Sequence, residues 1–480
     1  MTSYTAYASP PAVVIAAPAS GSGKTTVATG VMGALRAAGH RVAPFKVGPD
    51  YIDPGYHALA TGLPGRNLDA VMVGDERIGP LFLHGTAGCD IAVVEGVMGL
   101  FDGKIDMSTS GGASAQGSTA AVASMIGAPV VLVVDARGHS QSLAAVLHGF
   151  STYDSSVRIG GVILNRVGSP RHEEVLRQAC ERVGVPVLGS LPRMSELAVP
   201  SRHLGLITAL EHGGRAAAAV DAMADLVRDH VDLDAVRALA RSSVTGAAWD
   251  PGVEVGEANQ RTPVVSIAGG PAFTFGYAEH VELLRAAGAE VAVFDPLTDS
   301  LPDGTAGVLI PGGFPEEHAE ALAENRELLS AVRRLAGRHI PIHAECAGLL
   351  YLANNLDGHA MAGVIDIEAQ FGSHLTLGYR DAVALDDSVL FEAGTRITGH
   401  EFHRTSLVDS AATGQPSSSA WGWRNPSAAA ENRVVREGFV QDRVHASYLH
   451  THPAGNPRSV RRFVDACADF AADTVDALDG

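Results

Sequence analysis

Short runs of apolar and β-branched residues that do not alternate with polar ones constrain the fold of this chain most. In the first half they occupy residues 13–15, 91–94, 130–134 and 161–164, and helical stretches rich in Ala and Leu separate them. A strand without alternation is buried on both faces, as in a parallel sheet covered by helices. The pattern therefore predicts an α/β domain.

This pattern weakens in residues 231–261 and then starts again. The second series of buried strands is expected at residues 263–267, 291–294, 307–310 and 340–342. A chain of 480 residues is long enough to form more than one core of ordinary size. The predicted fold class is α/β, with two doubly wound domains whose sheets are mostly parallel.

The domain bounds follow from these two series. We place the first domain at residues 1–245, a linker at 246–262 and the second domain at 263–480. After about residue 360 the strands look shorter and more alternating, as at residues 374–379, which predicts an antiparallel edge. Residues 411–432 are rich in Ser, Ala and Gly, which predicts a mobile insertion loop.

Charge and hydropathy argue against several classes of protein. The 35 Lys and Arg residues against 53 Asp and Glu residues give a formal charge of −18, which argues against a nucleic-acid partner. No apolar run approaches the roughly 18 residues of a membrane-spanning helix, and residues 12–19 resemble a strand more than a signal peptide. The four cysteines are too few and too widely spaced for a disulfide scaffold, so we expect a cytoplasmic protein.

A glycine-rich loop follows the first predicted strand and opens an Ala-rich helix. Its residues are Gly21, Ser22, Gly23, Lys24, Thr25 and Thr26. In a phosphate-binding loop, backbone N–H groups surround phosphate oxygens, the lysine reaches the terminal phosphates and the threonine after it binds Mg²⁺. The motif predicts nucleotide binding, with Pro18 in place of the usual first glycine; a plain Gly/Ser turn is the alternative.

Two further segments bring charged residues to the carboxyl ends of strands, where ligands bind in open α/β sheets. The first contributes Lys46, Asp50 and Asp53, and the second contributes Glu95 and Asp102. Glu95 is the predicted Mg²⁺ ligand, because Mg²⁺ favours one or two carboxylates together with phosphate oxygens. For each acid taken alone, a helix cap or a solvated loop position is the alternative.

Asn165 ends another strand of the first domain. Its side-chain amide is suited to reading a nucleotide base. An asparagine that simply forms a turn is an equal alternative.

In the second domain a buried strand leads through Cys346 into an apolar helix. Such a sharp turn exposes a nucleophile, and the helix field with a nearby histidine is expected to lower the thiol pKa and favour the thiolate. Cys346 is therefore a predicted nucleophile, with an inert core cysteine as the alternative. For the base we choose His450 over His445 and His452, because it follows an apolar pair at a strand end.

A glycine turn closes the strand at residues 308–310. Backbone N–H groups of Gly313 and of Ala347, which follows Cys346, are predicted to form an oxyanion hole. The alternative is a glycine turn without a catalytic role.

Taken together, these motifs resemble the cobyrinic acid and hydrogenobyrinic acid a,c-diamide synthases over nearly the full length. The first half is similar to a dethiobiotin-synthetase-type P-loop domain, and the second half is similar to a class I glutamine amidotransferase of the cobalamin type. The segments that carry the resemblance are residues 20–26, 46–54, 95–103, 164–169, 191–193, 312–316, 345–349 and 399–403.

The resemblance implies a reaction in two parts. Cys346 attacks the side-chain amide of L-glutamine and His450 moves the proton, while the first domain uses ATP and Mg²⁺ to activate a corrinoid carboxylate for ammonia. The implied roles are ATP binding for Gly21, Ser22, Gly23, Lys24, Thr25, Thr26, Lys46 and Asn165; metal binding for Thr25, Asp50 and Glu95; and corrinoid or ammonia binding for Asp53 and Asp102.

One departure from the family pattern concerns the catalytic triad. In most class I glutaminases Pro-Glu follows the catalytic histidine, whereas here Thr451 and His452 follow His450. The usual triad acid is absent, so the resemblance implies a Cys–His dyad.

Two other functions stay open at this point. A cobyric acid synthase has the same two-domain plan and amidates other side chains, and a P-loop switch with a silent amidotransferase domain would hydrolyse no glutamine. The resemblance leaves two substrates open, the cobalt-free hydrogenobyrinic acid and the cobalt-containing cobyrinic acid, and it is compatible with a homodimer.

Overall fold

The structure is a computed structural model that describes residues 7–104, 115–193, 201–202, 205–206, 208–409, 418–424 and 434–479. The chain divides into two compact units, Met1–Trp249 and Asp250–Gly480. Each unit is built on a mostly parallel sheet with helices, so the predicted α/β class with two doubly wound domains is confirmed.

The first unit alternates strands and helices. Its strands are β1 (Tyr7–Ala8), β2 (Ala12–Ala16), β3 (Val42–Val47), β4 (Arg66–Leu68), β5 (Ile91–Glu95), β6 (Val130–Asp135), β7 (Ile159–Val167), β8 (Val187–Pro192), β9 (Ser201–Arg202), β10 (Gly205–Leu206) and β11 (Thr245–Gly246). Its helices are α1 (Lys24–Ala37), α2 (Asp53–Thr61), α3 (Ala70–Val73), α4 (Asp75–Gly85), α5 (Thr119–Ile126), α6 (Leu143–Tyr153), α7 (Pro170–Arg182), α8 (Ala209–His212), α9 (Gly214–His230) and α10 (Leu233–Leu239).

The central sheet of this unit has seven strands in the order β4-β3-β5-β2-β6-β7-β8, and all neighbours are parallel. Every residue of β2, β3 and β5 is buried, because helices cover both faces of the sheet. These three adjacent strands end at the same edge, so the loops that follow them lie side by side. Helix α1 packs closely on α9, where a Cβ on Gly30 would lie 2.5 Å from the Met223 carbonyl oxygen.

The second unit begins with a short helix and continues with a new α/β series. Its helices are α11 (Pro251–Val255), α12 (Ala278–Ala286), α13 (Ala319–Glu324), α14 (Arg326–Ala336), α15 (Ala347–Leu352) and α16 (Pro457–Asp479), with 3₁₀ turns at Pro315–His318 and Pro453–Gly455. Its strands are β12 (Val264–Ala268), β13 (Glu290–Phe294), β14 (Thr305–Ile310), β15 (Ile342–Glu345), β16 (Asn355–Leu356), β17 (His359–Ala360), β18 (Ile367–Ala384), β19 (Arg396–Asp409), β20 (Trp421–Arg424), β21 (Val434–Glu437), β22 (Phe439–Gln441) and β23 (Val444–Ser447).

The main sheet of the second unit runs β13-β12-β14-β15-β23-β22 and is parallel except for the β22–β23 pair. Strands β14, β15 and β23 are neighbours at its centre, and their carboxyl ends carry the segments with Gly313, Cys346 and His450. Helix α11 lies within the predicted linker and packs against α12 and α16.

A second sheet in this unit contains β18 and β19 as a long antiparallel pair. The antiparallel pairing agrees with the sequence, but the expectation of short strands is wrong, since β18 has 18 residues. The predicted mobile loop at 411–432 is also wrong at Trp421–Arg424, which forms a strand between β18 and β21 with Trp421 fully buried. Residues 418–420 are also described, and Ser418 pairs with Val440. Residues 411–417 and 425–432 lie outside the described residues. Within the described part of the chain, no helix combines the length and the apolar character needed to cross a membrane.

Candidate active sites

The glycine-rich loop joins β2 to α1, as the motif predicted. Gly21 and Gly23 have φ angles of 78° and 93°, a region that favours glycine. A Cβ on Gly23 would lie only 2.3 Å from Nδ2 of Asn165. Backbone conformation and space therefore both require glycine at position 23.

Two residues at the end of β7 contact this loop from the side. Asn165 Nδ2 donates a 2.9 Å hydrogen bond to the carbonyl oxygen of Ser22, and Arg166 Nη1 donates one of 2.8 Å to that of Gly21. Arg166 is itself held by Asp135 at 2.6 Å. The side-chain amide of Asn165 thus supports the loop, a role that the sequence analysis did not consider.

Lys24 opens α1 and is only 8% exposed. Its Nζ donates to the carbonyl oxygen of Met98, in the loop that follows β5. Burial, together with the positive charge of Lys46, lowers the pKa of Lys24. An incoming phosphate would offer this ammonium a stronger partner than a carbonyl oxygen.

Lys46, Asp53, Glu95 and Thr25 form one buried cluster, which we call the acidic cluster. Lys46 Nζ donates to Asp53 Oδ2 at 2.6 Å and to Glu95 Oε1 at 3.0 Å. Thr25 Oγ1 donates to Glu95 Oε1 at 2.7 Å and reaches Asp53 Oδ2 at 3.3 Å. The ends of β3 and β5 and the starts of α1 and α2 therefore converge on one point.

Charge balance explains why these groups coexist in the interior. Burial alone would raise the pKa of Glu95, but the charge of Lys46 and the hydrogen bond from His57 hold it well below its ordinary value. Burial opposes the charge of Lys46, yet Asp53 and Glu95 raise its pKa above the ordinary value. For Asp53, burial and the negative charges of Asp50 and Glu95 outweigh the attraction of Lys46, so its pKa lies above the ordinary value.

The other two predicted acids, Asp50 and Asp102, have their main hydrogen bonds outside the acidic cluster. Asp50 Oδ1 accepts hydrogen bonds from the N–H groups of Ile52 at 2.9 Å and Asp53 at 3.0 Å, so it caps the start of α2, while Oδ2 lies 3.7 Å from Lys46. Asp102 Oδ2 accepts from the N–H of Gly99 at 2.9 Å. Of the acids, it is Asp53 and not Asp50 that joins Glu95 and Thr25.

The sequence analysis missed His57. Its Nε2 lies 2.7 Å from Glu95 Oε2, and both side chains are fully buried. Asp53 and Pro54 begin α2, and His57 lies four residues after Asp53, so the two side chains share one face of the helix. This spacing could have predicted from the sequence that His57 belongs to the site.

The acidic cluster fits Mg²⁺ bound with a nucleotide. Mg²⁺ usually takes one or two carboxylates and completes its shell with phosphate oxygens and water. Thr25, Glu95 and Asp53 supply a hydroxyl and two carboxylates at one place. Among the described residues no group of three or more His, Cys, Asp or Glu side chains is arranged to hold a metal ion.

Cys346 occupies the turn between β15 and α15 in a strained backbone conformation, with φ 50° and ψ −99°. Its N–H donates a 2.7 Å hydrogen bond to the Ser447 carbonyl oxygen at the end of β23. Such strain on a non-glycine residue is characteristic of functional turns and agrees with the geometry of a nucleophile elbow.

The predicted lowering of the thiol pKa is wrong for this structure. Burial, with Cys346 only 3% exposed, and the nearby carboxylate of Glu316 raise the pKa of the thiol well above its ordinary value. The backbone N–H of Ala347 opposes this shift but does not overcome it. The nucleophile is therefore a neutral thiol at rest and needs a base to take its proton.

His450 lies on the segment after β23 and is fully buried. Its backbone exchanges two hydrogen bonds of 2.9 Å with His400 on β19, which fixes the segment. Burial lowers the pKa of His450 to about 4, so the imidazole is neutral and suited to act as a base. A Cβ on Gly312 would lie 2.3 Å from its Cε1, so the glycine turn makes room for the ring.

The two histidines that were not chosen have other roles. His445 is buried on β23 and packs against His343 and Trp421. His452 Nδ1 accepts the N–H of Ala454 at 3.2 Å, and its ring packs on Tyr277. These contacts give His445 and His452 roles in packing and in forming a turn.

The predicted oxyanion-hole residues follow neighbouring strands. Gly313 follows β14, Ala347 follows Cys346 after β15, and the two strands pair in parallel up to Ile310 and Ala344. A Cβ on Gly313 would lie 2.0 Å from the Ala272 carbonyl oxygen, so only glycine fits this close turn. The oxyanion role of the two amides stays a prediction.

Comparison with known proteins gives a family match in each of the two units. Residues 13–207 match the family model described as CobQ/CobB/MinD/ParA nucleotide binding domain, and residues 264–457 match the CobB/CobQ-like glutamine amidotransferase domain.

Whole-length relatives exist as well. The chain is 60% identical to a hydrogenobyrinate a,c-diamide synthase of Mycobacterium tuberculosis over 94% of this chain and 97% of the relative. It is 54% identical to one of Streptomyces coelicolor over 97% and 99% of the two chains. It is 38% identical to a cobyrinate a,c-diamide synthase of Synechococcus over 96% and 99%.

Proposed function

The chain belongs to the family of hydrogenobyrinate and cobyrinate a,c-diamide synthases, and we propose that its own substrate is hydrogenobyrinic acid. It is an ATP- and glutamine-dependent ligase that amidates the a- and c-carboxylates of a corrinoid. The observation that carries this function is identity of 60% and 54% to two hydrogenobyrinate enzymes over both domains. The cobyrinate relative is 38% identical, which favours the cobalt-free acid as substrate.

The second domain releases ammonia from glutamine. We propose that the Cys346 sulfur adds to the carboxamide carbon while His450 takes the thiol proton and returns it to the departing ammonia. Water then hydrolyses the thioester and releases glutamate. The neutral, buried state of His450 supports this role, because the resting thiol carries a proton that a base must remove.

The first domain activates the corrinoid carboxylate. A carboxylate oxygen attacks the γ-phosphorus of ATP, ADP leaves, and ammonia displaces phosphate from the acyl phosphate to give the amide. In this proposal Lys24 and Lys46 offset charge on the phosphoryl group, and the loop from Gly21 to Thr26 holds the phosphates. Their convergence at one sheet edge supports these roles.

Thr25, Glu95 and Asp53 are the proposed ligands of Mg²⁺, which would neutralise phosphate charge when bound. Asp53 replaces Asp50 in this set, because Thr25 contacts Asp53 and Glu95, whereas Asp50 caps the start of α2. We assign Asp102 to ordering its own loop, since its carboxylate accepts the N–H of Gly99. A cytoplasmic location and a homodimer stay predictions, which cell fractionation and analytical ultracentrifugation check.

The two rival functions make different predictions. A cobyric acid synthase would amidate other side chains, whereas relatives over the full length are named for the a and c positions. A P-loop switch with a silent amidotransferase domain would hydrolyse no glutamine. The strained turn at Cys346, with a neutral imidazole at His450, disfavours that alternative.

The deciding experiment measures ATP-dependent amide formation on hydrogenobyrinic and cobyrinic acids, with glutamine or ammonium chloride as the donor. Wild type is expected to add two amides to hydrogenobyrinic acid with either donor. Cys346→Ala is expected to lose glutamine use and keep ammonia use. Amidation at other positions, or ATP hydrolysis without any amide, would contradict the proposal.

A further inference from the structure

We propose that Glu345, the residue immediately before the nucleophile, acts as the positioning acid for His450 and so restores a Cys–His–acid triad. This inference rests on the proposed glutaminase role of the second domain. In the sequence the acid that usually follows the histidine is absent, because Thr451 and His452 occupy those positions. The structure supplies a carboxylate from a different strand.

The geometry places this carboxylate beside the base. Glu345 is the last residue of β15, and its Oε2 lies 3.9 Å from Nδ1 of His450. Both side chains are buried, with exposures of 8% for Glu345 and 0% for His450. At this distance, away from water, a carboxylate and an imidazolium attract each other strongly.

Further contacts hold the carboxylate in place. Thr451 donates twice to Glu345 Oε1, from Oγ1 at 2.8 Å and from its N–H at 3.2 Å. His343 Nε2 lies 3.3 Å from the same oxygen. Since these partners act on Oε1, the second oxygen is left on the side of His450.

Other ionisable groups face Glu345 from the elements around it. His280 on α12 is half-buried and His445 on β23 is buried, and both are neutral because desolvation lowers the pKa of each to about 3. Cys346 follows it in the chain and is a neutral thiol. Burial opposes the charge of Glu345, yet the bond from His343 and the attraction of His343 and His450 lower its pKa to about 2. Glu345 is therefore ionised at neutral pH.

This arrangement gives the acid a definite task. When His450 takes the thiol proton, the imidazolium forms in a buried site, and Glu345 stabilises that charge while favouring the ring orientation that presents the other nitrogen to sulfur. The acid itself stays ionised throughout. In this proposal Glu345 forms no bond to glutamine or sulfur and acts through the histidine.

The test compares Glu345→Gln with Thr451→Val in the full chain. Glu345→Gln removes the charge but keeps an oxygen that can accept from Thr451. Thr451→Val removes the hydroxyl contact but keeps the charge. Glutamate release from glutamine is measured from pH 3 to 9 in short assays on enzyme stored at pH 7.5, because the pKa of His450 is about 4. Amidation with ammonium chloride reports the intact synthetase in each variant.

We expect Glu345→Gln to lower the kcat for glutamine about 100-fold, with KM nearly unchanged, and Thr451→Val to lower it less than about fivefold. The acid limb of kcat/KM should move to lower pH in Glu345→Gln, because removal of the negative charge lowers the pKa of His450. A carboxylate that served only to hold Thr451 would instead give similar losses in both variants.

Two results would overturn the assignment. One is wild-type glutaminase activity in Glu345→Gln; the other is an equal loss in both variants without movement of the acid limb. If wild type amidates neither corrinoid with either donor, the proposed function fails instead. Glutamate release then still decides the role of Glu345.

Discussion

His57 and Glu95 form a contact of 2.7 Å between two side chains with no solvent exposure. His57 Nε2 holds Glu95 Oε2, and this leaves Oε1 toward Thr25 and Lys46. The histidine therefore sets the orientation of the carboxylate that we propose to bind Mg²⁺. Loss of a residue that orients a metal ligand typically costs about 10- to 100-fold in metal affinity or activity.

Replacing His57 with Ala is expected to slow ammonia-dependent amidation about 10- to 100-fold, because Glu95 loses the bond that orients it. The free energy of unfolding should fall by about 2 kcal/mol, the typical value of a hydrogen bond to a buried charged group. The measurements are steady-state rates with ammonium chloride and urea unfolding.

A matched control and a rescue make this result specific. His148 is an exposed histidine on α6, and His148→Ala should change neither rate nor stability. His57→Gln should recover part of the activity, because its amide N–H can donate to Glu95. Full activity in His57→Ala would show that Glu95 needs no orienting partner.

Asn165→Ala is expected to raise the KM for nucleotide about tenfold, because the loop loses the hydrogen bond to the Ser22 carbonyl oxygen. The factor should be the same for ATP and GTP, since the amide contacts the loop. A change in the ATP-to-GTP ratio would instead indicate base reading. Asn259→Ala, which removes a bond to Asp465 in the second unit, is the control.

The sequence predicted which residues lie at the carboxyl ends of the strands, but it missed several contacts between their side chains. Strand ends and glycine loops follow from local pattern, so Lys24, Lys46, Glu95 and Cys346 were correctly expected near the carboxyl ends of strands. Our proposal of Asp53 in place of Asp50 depends on where α2 begins, since Asp53 is its first residue and Asp50 lies about one turn earlier. The predicted shift of the cysteine pKa was wrong because burial, with the charge of Glu316, outweighs the helix field, and neither the burial nor Glu316 can be read from the residues around Cys346.

The second unit should lose stability in mild acid. Burial lowers the pKa of His280, His400 and His445 to about 3 and that of His450 to about 4. Their folded pKa lies below the unfolded value of about 6.5, so the unfolded chain binds more protons as pH falls below 6.5. Burial raises the pKa of Glu437 to about 7, which has the opposite sign and offsets part of the loss. From pH 7.5 to 5.5 we expect a net loss of about 4 kcal/mol.

Tryptophan fluorescence can report this loss in the full chain. The chain has three tryptophans, and Trp249 lies in the first unit while Trp421 and Trp423 lie in the second. In Trp249→Phe, the emission therefore follows the second unit alone. Urea titrations at both pH values should show a lower midpoint at pH 5.5, and an unchanged midpoint would contradict buried neutral histidines.

Gly312→Ala tests the placement of the base directly. A Cβ at this position would lie 2.3 Å from Cε1 of His450 and 3.1 Å from the Cβ of Phe275, so the imidazole must move. A displacement of about 1 Å at a catalytic group costs on the order of 100-fold in rate. We expect that loss in kcat/KM for glutamine and an unchanged rate with ammonium chloride.

The control for this change is Gly276→Ala, a glycine in the same unit with nothing within 4 Å of the added carbon. It should leave both activities at the wild-type level. If Gly312→Ala also keeps full glutaminase activity, the position of the His450 ring does not affect the rate. The thiol proton of Cys346 must then go to another base. If both rates fall together, the substitution has damaged more than the glutaminase site. If Gly312→Ala loses only glutamine use while Gly276→Ala keeps it, the base lies beside the glycine turn, because the two variants differ in the clash with His450.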